Sequence, residues 1–493
     1  MDSVPRGSRA PALVGLTRRG FVGWTLGSLT PLAAAGRETH QATGVKVGEL
    51  TPTAARIWAR RTRANARRAD GIPARREKPL AAPTGVDPID FEGSCPGADG
   101  ALRLIVKTST GKKAWASDWV DVSASTDFAH QFEVSGLHPA TGYSFLLETK
   151  GRRTDGKLAG SFRTAPPEDA VVPVDVAMLS CQKYAERDDA RGFFVYDAIK
   201  QFQPHHLLSV GDNVYYDSDD PIVNSTAVAR HHWNRMYSLD RVSECLRVVP
   251  GYWVKDDHDC YSDDCYPGKV TPKMAPFTFE EGLRVFPTQV PLGPSPYRRY
   301  RWGRGLEIFL LEGRDYRTAN NAPDGPSKSI WGPEQKRWLK EALMASKADW
   351  KLIVSPTPLV GPDRKNKRDN HANEVYRTEG REMRSWIKDN SRGDTFVVCG
   401  DRHWQYHSVE PETGVNEFGC GAASDSLASG TPGEDLRYHK FHRVKGGFLA
   451  IQVRPEGGRS KLVVEHRDVH GRQVYQKVFE RSGALAQNGV KRV

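Results

Sequence analysis

Apolar and polar positions change rhythm twice along this chain. From about residue 43 to 166, short stretches alternate apolar and polar with a period of two. GVKVGELTPTAARIWAR, ALRLIVKTST and FAHQFEVSGL are examples, broken by Gly, Pro, Ser and Thr. That period puts successive side chains on opposite faces of a strand, so the segment is predicted to be β structure. Arg163–Thr164–Ala165–Pro166–Pro167 reads as a linker. From Val171 onward, continuous apolar runs (VDVAMLS, HHLLSVG, GYWV, LEIFLLEG, WKLIVSPTPL, TFVVCG) alternate with helical patterns. Val195, Ile199 and Phe202 fall on one helical face. Trp338, Leu339, Ala342 and Leu343 fall on another, behind Pro333 at a first turn, and REMRSWIKDN is a third helix. Strands alternating with helices predict α/β layers. After His407 the period of two returns in GGFLAIQVRP, KLVVEHRDVH and QVYQKVFE, which are expected to complete a second sheet.

The residues just past the strands bring in the chemistry. One strand ends on Ser180–Cys181, and the next delivers Gly211–Asp212–Asn213–Val214–Tyr215. A third apolar run ends on Asp256–Asp257–His258–Asp259, and a fourth on Asp401–Arg402–His403. Ligand sites of open α/β sheets form at the carboxyl ends of the strands. Thiolate, phenolate and carboxylate are all anionic donors and suit a highly charged cation. The first two strands form one β-α-β unit; with the two later segments this makes three in β/α succession, the pattern of a two-metal hydrolase. His205–His206 and His231–His232 are not expected to ligate jointly, because adjacent strand residues point to opposite faces.

The chain has 493 residues, enough for two to three domains. No apolar run reaches about 18 residues, so no transmembrane helix is expected. Thr17–Arg18–Arg19–Gly20–Phe21–Val22, the apolar stretch behind it and Ala33–Ala34–Ala35 read as a twin-arginine signal peptide over residues 1–35. The mature chain is expected to start near Gly36. It is expected in the periplasm or at the cell surface, after export by the twin-arginine (Tat) machinery. Of a formal net charge of +11, most sits in Arg60–Lys78, which holds seven arginines and one lysine. The excess is therefore one loop, expected to be solvated, and no specific nucleic-acid partner is expected. Seven cysteines leave room for disulfides whose connectivity the sequence does not fix.

Two resemblances sharpen these readings. Leu137-x-Pro139-x-Thr141-x-Tyr143 resembles the fibronectin type III pattern, with Tyr143 as a tyrosine corner, so residues 43–166 are expected to form an N-terminal fibronectin III/Ig-like β-sandwich. The ordered set S-C-Q, G-D-x-x-Y, D-D-H-D and G-D-x-H resembles the PhoD-like alkaline phosphatase/phosphodiesterase family of the calcineurin-like metallophosphoesterases. G-D-x-x-Y is also similar to the purple acid phosphatases. The resemblance covers about residues 43–480. It implies a four-layer catalytic domain over residues 171–480, a β-sheet pair flanked by helices. It further implies that Asp212 bridges two metals, that Cys181, Tyr215 and His403 hold Fe³⁺, and that Asp257 and Asp401 hold Ca²⁺ or another divalent ion. Hard oxygen donors suit both ions. A hydroxide between the metals would attack the phosphorus of a phosphate ester in line, with Asp212 and His258 as the catalytic pair. His258 would stabilise the transition state or protonate the leaving group, and Arg402 with His258 would bind substrate. The expected activity is that of a phosphoric ester hydrolase, an alkaline phosphatase of the PhoD type. The alternatives are a phosphodiesterase acting on lipid headgroups or cell-wall polymers, and a non-catalytic surface-binding protein.

Overall fold

A computed structural model describes residues 40–75, 85–151, 155–391, 393–456 and 459–480. The twin-arginine segment expected at 1–35 lies outside the described residues. The N-terminal strands are β1 (Val45–Gly48), β2 (Ala55–Arg60), β3 (Gly100–Thr108), β4 (Lys113–Ala116), β5 (Val120–Val122), β6 (Ala129–Val134), β7 (Gly142–Lys150) and β8 (Asp155–Arg163). Then come β9 (Val174–Leu179), α1 (Phe194–Phe202), β10 (His206–Val210), α2 (Thr226–Tyr237), α3 (Asp240–Leu246), β11 (Gly251–Val254) and α4 (Phe279–Gln289). The second half holds β12 (Arg298–Trp302), β13 (Leu306–Leu310), α5 (Gly332–Ala345), β14 (Trp350–Ser355), α6 (Arg377–Asn390) and β15 (Thr395–Cys399). It closes with β16 (Gln405–Val409), β17 (Asn416–Cys420), β18 (His439–Arg443), β19 (Phe448–Glu456), β20 (Arg459–Arg467) and β21 (Gln473–Glu480).

Two large sheets face each other. The first runs β21-β20-β19-β9-β10-β11-β1-β2-β6, and the second β12-β13-β14-β15-β17-β16-β18. The period of two explains the layering. Val174, Val176 and Met178 of β9 join the core between the sheets, with Ile308, Leu352, Val354 and Val398 opposite. Ala177 and Leu179 of the same strand pack on the other face against Val195 and Ile199 of α1 and Val242 of α3. On the far side, Phe309, Ile353 and Val397 bury Leu339, Ala342 and Leu343 of α5 and Met383 and Ile387 of α6. The order is helices, sheet, sheet, helices, as strands covered on both faces require.

Two sequence expectations meet a different topology. First, β19 to β21 extend the first sheet and not the second, since β19 pairs antiparallel with β9. Leu449, Ile451 and Val453 face the core between the sheets while Ala450 faces the helix side, and a place beside β9 covers both faces. Second, the N-terminal segment does not stand apart. β1 pairs in parallel with β11, so β1, β2 and β6 continue the central sheet. β3, β4, β5, β7 and β8 form a separate five-stranded sheet packed across them. The join covers what would be an open edge at β11. Tyr143 is buried at the start of β7, and its hydroxyl accepts the His138 N–H at 2.8 Å.

The arginine-rich loop is likewise docked over its described part, where solvation was expected. Arg60 is buried against Asp127 at 3.2 Å, and Arg61 donates to the Asp99 carbonyl at 2.6 Å. Arg67 reaches the Tyr184 hydroxyl and the Arg235 carbonyl, and Arg75 pairs with Asp220 at 3.3 Å. Arg63 stays exposed. All seven cysteines are buried free thiols.

Candidate metal centre

Parallel pairing brings the carboxyl ends of β9, β10 and β11 side by side, and those of β13, β14 and β15 likewise. The sheets touch at this edge. Ser180 bridges Ala422, and the Ala423 N–H donates to the Cys181 carbonyl at 3.2 Å. Gly400 sits at the contact. A Cβ there would lie 2.3 Å from the Val210 carbonyl oxygen and 2.4 Å from Ser180 Oγ, so a side chain would force the sheets apart beneath the site. Three non-glycine residues at these strand ends have positive φ: Cys181 at 55°, Asp212 at 52° and Asp401 at 62°. Such backbone costs about 1–3 kcal/mol per residue and gathers at functional sites.

The turns aim their side chains at one another. The Cys181 thiol donates to Asp212 Oδ2 at 3.3 Å, and the Tyr215 hydroxyl donates to the same oxygen at 3.1 Å. Tyr215 Oη also lies 3.3 Å from His403 Nε2. Donor atoms of Cys181, Asp212 and His403 fall within 4.8 Å of one another, as do those of Asp212, Asp257 and His258. Asp212 is common to both groups. A third group joins Asp257, Asp264 and Asp369.

The electrostatics of this arrangement call for cations. Burial, followed by the neighbouring acids, pushes Cys181, Tyr215 and Asp212 well above their ordinary pKa values. Asp212 Oδ1 is buried with no hydrogen-bond partner. Three buried acidic groups thus crowd together where a metal ion would satisfy them all. His403 is pushed down to about 3 by removal from water and by the charges of His258 and Arg402, which leaves it neutral and able to ligate. The residues present therefore fit a metal pair: thiolate, phenolate, carboxylate and imidazole on one side, carboxylate oxygens on the other.

Around this core the other expected residues take distinct places. His258 stacks on the Tyr215 ring with centroids 4.3 Å apart, and its Nδ1 lies 2.6 Å from Asp217 Oδ1. Burial alone would raise Asp217, but the charge and hydrogen bond of His258 outweigh it and hold the carboxyl well below the usual range. Against its own burial, the carboxylates of Asp217, Asp257 and Asp212 raise His258 and keep it protonated. Asp257 is held low by Arg314, 3.5 Å away, despite burial, and accepts the Asp264 N–H at 2.7 Å. Asp256 is taken by Arg314 at 2.5 Å. Asp259 accepts the Asn213 side chain and the Val214 N–H, each at 3.0 Å. Asp401 is drawn to Arg402 and does not join the three donor groups. Arg402, expected at the substrate, is instead buried, with Asp369 at 3.2 Å and Asp363 at 3.5 Å completing its shell. His206 is buried against Tyr252 and Trp302, and His232 bonds the Pro221 carbonyl at 2.7 Å, so neither pair of adjacent histidines shares a ligand position.

Asp217 is a residue that sequence reasoning missed, although it closes the same G-D-x-x-Y stretch two positions after Tyr215. Asp264 and Asp369 were missed because they follow no strand.

The family model described as PhoD-like phosphatase matches residues 176–449. Alkaline phosphatase D of Bacillus subtilis (strain 168) is 23% identical over 369 residues, which span 64% of this chain and 61% of that protein. A solved structure of PhoD superposes with a TM-score of 0.67 at 15% identity, covering 91% of this chain and 90% of that one. Purple acid phosphatase PPD1 from yellow lupin (Lupinus luteus) seeds gives a TM-score of 0.58 at 12% identity, over 88% of this chain and 73% of its own. At these identities the superpositions speak to the fold: a metallophosphatase-like α/β arrangement of sheets.

Proposed function

The chain belongs to the PhoD-like phosphatase family, and from that premise we propose that it is a two-metal phosphoesterase that releases phosphate from organic esters. The observation that carries this reading is the convergence of buried, mutually repelling acids on Asp212. In this proposal Cys181, Asp212, Tyr215 and His403 hold Fe³⁺, while Asp212 and Asp257 hold Ca²⁺ or another divalent ion. Asp401 is assigned no metal, because Arg402 claims its carboxylate. A bound metal pair supplies charge neutralisation at the phosphoryl oxygens and a nucleophile drawn from water.

The remaining work falls to the chain. Asp217 accepts the Nδ1 proton of His258, fixing the ring and keeping it charged. Nε2, which has only the exposed Asp263 carboxylate at 4.0 Å as an ion-pair partner, can then donate toward a phosphoryl or leaving-group oxygen. Arg402 is a positioning residue in this scheme. It holds the loop from Asp363 to Asp369 against the Asp401 turn that presents His403.

The test is hydrolysis of a phosphomonoester and of a phosphodiester by metal-loaded protein. Turnover of at least one ester is expected, and the preferred one separates phosphatase from diesterase. Metal-loaded protein that turns over neither would overturn the reading in favour of a binding protein. Export is proposed with it on the strength of the twin-arginine pattern Thr17–Val22. N-terminal sequencing of exported protein should start near Gly36, and recovery of Met1 would contradict export by this signal.

A further inference from the structure

The cations around the centre are nearly all spoken for. Arg314 is held by Asp256 and Asp257, and Arg402 by Asp363, Asp369 and Asp401. Lys255 is held by Glu312 and Asp315, Lys273 by Asp217 at 3.3 Å, and Lys367 by Asp264 at 2.6 Å. In such pairs the carboxylates already offset most of each cation's charge.

Lys183 is different. It follows Cys181 by two residues and is half-buried, and among the described residues its ammonium has neither an ion pair nor a hydrogen bond. Its Nζ stands over the Tyr215 ring, 6.0 Å from the centroid, so Lys183 and His258 both flank that ring. Its neighbours are fixed. The Gln182 amide donates to the Asn213 carbonyl at 3.0 Å and its oxygen accepts the Tyr196 hydroxyl at 2.5 Å. The Tyr184 and Ala185 N–H groups donate to Asp219 at 2.8 and 3.1 Å. The backbone of Lys183 is thus clamped on both sides, while its ammonium makes no hydrogen bond and acts on the buried Asp219 carboxylate through its charge alone.

We propose that Lys183 is a substrate-binding residue of this site, whose ammonium takes a non-bridging oxygen of the phosphoryl group. A tetrahedral dianion beside a metal pair leaves oxygens in need of further donors. A lysine offers three on a flexible stem. It replaces Arg402 as the cation that meets the ester. The inference rests on the phosphoesterase reading and deepens it.

The experiment compares metal-loaded wild type, Lys183→Met and Lys183→Arg in three readouts: KM for a phosphomonoester, inhibition by inorganic phosphate, and metal content. A charge-assisted hydrogen bond is large enough that Lys183→Met should raise KM and the phosphate inhibition constant about ten- to hundredfold. Its kcat should change less and its metal content not at all, which also shows that the variant folds. Lys183→Arg should recover most of the loss. Unchanged KM and phosphate inhibition in an active Lys183→Met protein would overturn the inference and leave the phosphoesterase reading standing. An arginine variant as impaired as the methionine one would also overturn it. A metal-loaded wild type that neither turns over the ester nor binds phosphate would instead bring down the reading beneath it.

Discussion

Asp212→Asn should abolish ester turnover, by about a thousandfold or more, while leaving the fold intact. Asp212 belongs to both donor groups, so one substitution weakens both metal positions at once. Loss of a single electrostatic contact at a reacting centre already costs about 10²–10³ in rate, and here two are affected. The stability side runs the other way. Burial pushes the Asp212 carboxyl well above its ordinary pKa, and one of its oxygens has no partner. In metal-free protein, then, a neutral amide of the same shape removes a buried liability, and the unfolding midpoint should hold or rise. Activity assays beside denaturant melts of the metal-free protein check both halves. A variant that melts much earlier than wild type would mean that Asp212 serves the fold more than the site.

The second large effect belongs to Arg402. Arg402→Met should destabilise the protein by about 3–5 kcal/mol, since it strands Asp363, Asp369 and Asp401 in the interior without their shared cation. The pH dependence follows from Asp369. Burial would raise its carboxyl, but Arg402 and Lys367 outweigh burial and hold it below the usual range. A depressed folded-state pKa contributes stability above the unfolded value near 4 and loses it as pH falls through the folded value. The deficit of the variant in metal-free protein should therefore hold from neutral pH down to about 4 and shrink as pH falls further. Denaturant melts of both proteins across that range read it directly. A variant as stable as wild type at pH 7 would show that the three carboxylates find other partners.

How far the sequence carried the reading depends on the range of each interaction. Cys181, Asp212, Tyr215, Asp257 and His403 could be found because each stands within a few residues of an apolar run whose end is local information. The layer order could be found for the same reason, since Val174, Val176 and Met178 alternate with Ala177 and Leu179 in plain view. What stayed hidden was pairing over distance. Nothing local to Gly48 says that β1 will lie along β11, and nothing local to Phe448 says that β19 will take the edge of β9. Arg402 sits beside a predicted metal ligand and so resembled a substrate contact. Its partners Asp363 and Asp369 lie more than thirty residues earlier, on a loop with no periodic pattern. Lys183 was passed over for the converse reason. Its significance lies in an ammonium that makes no hydrogen bond among the described residues, and that becomes visible only once the neighbouring cations have been given theirs.

Cys181 and Tyr215 are proposed to act as metal ligands and not as buried packing. The most direct measurement is metal content together with the visible spectrum of natively produced protein, against Cys181→Ser and Tyr215→Phe. The expected result is iron in the wild type with a visible charge-transfer band that shifts or fades in each variant, because thiolate and phenolate are the donors that give such a band to Fe³⁺. A catalytically active, colourless, iron-free wild type would contradict the ferric assignment. An iron band unchanged in both variants would contradict the claim that these two side chains hold the metal.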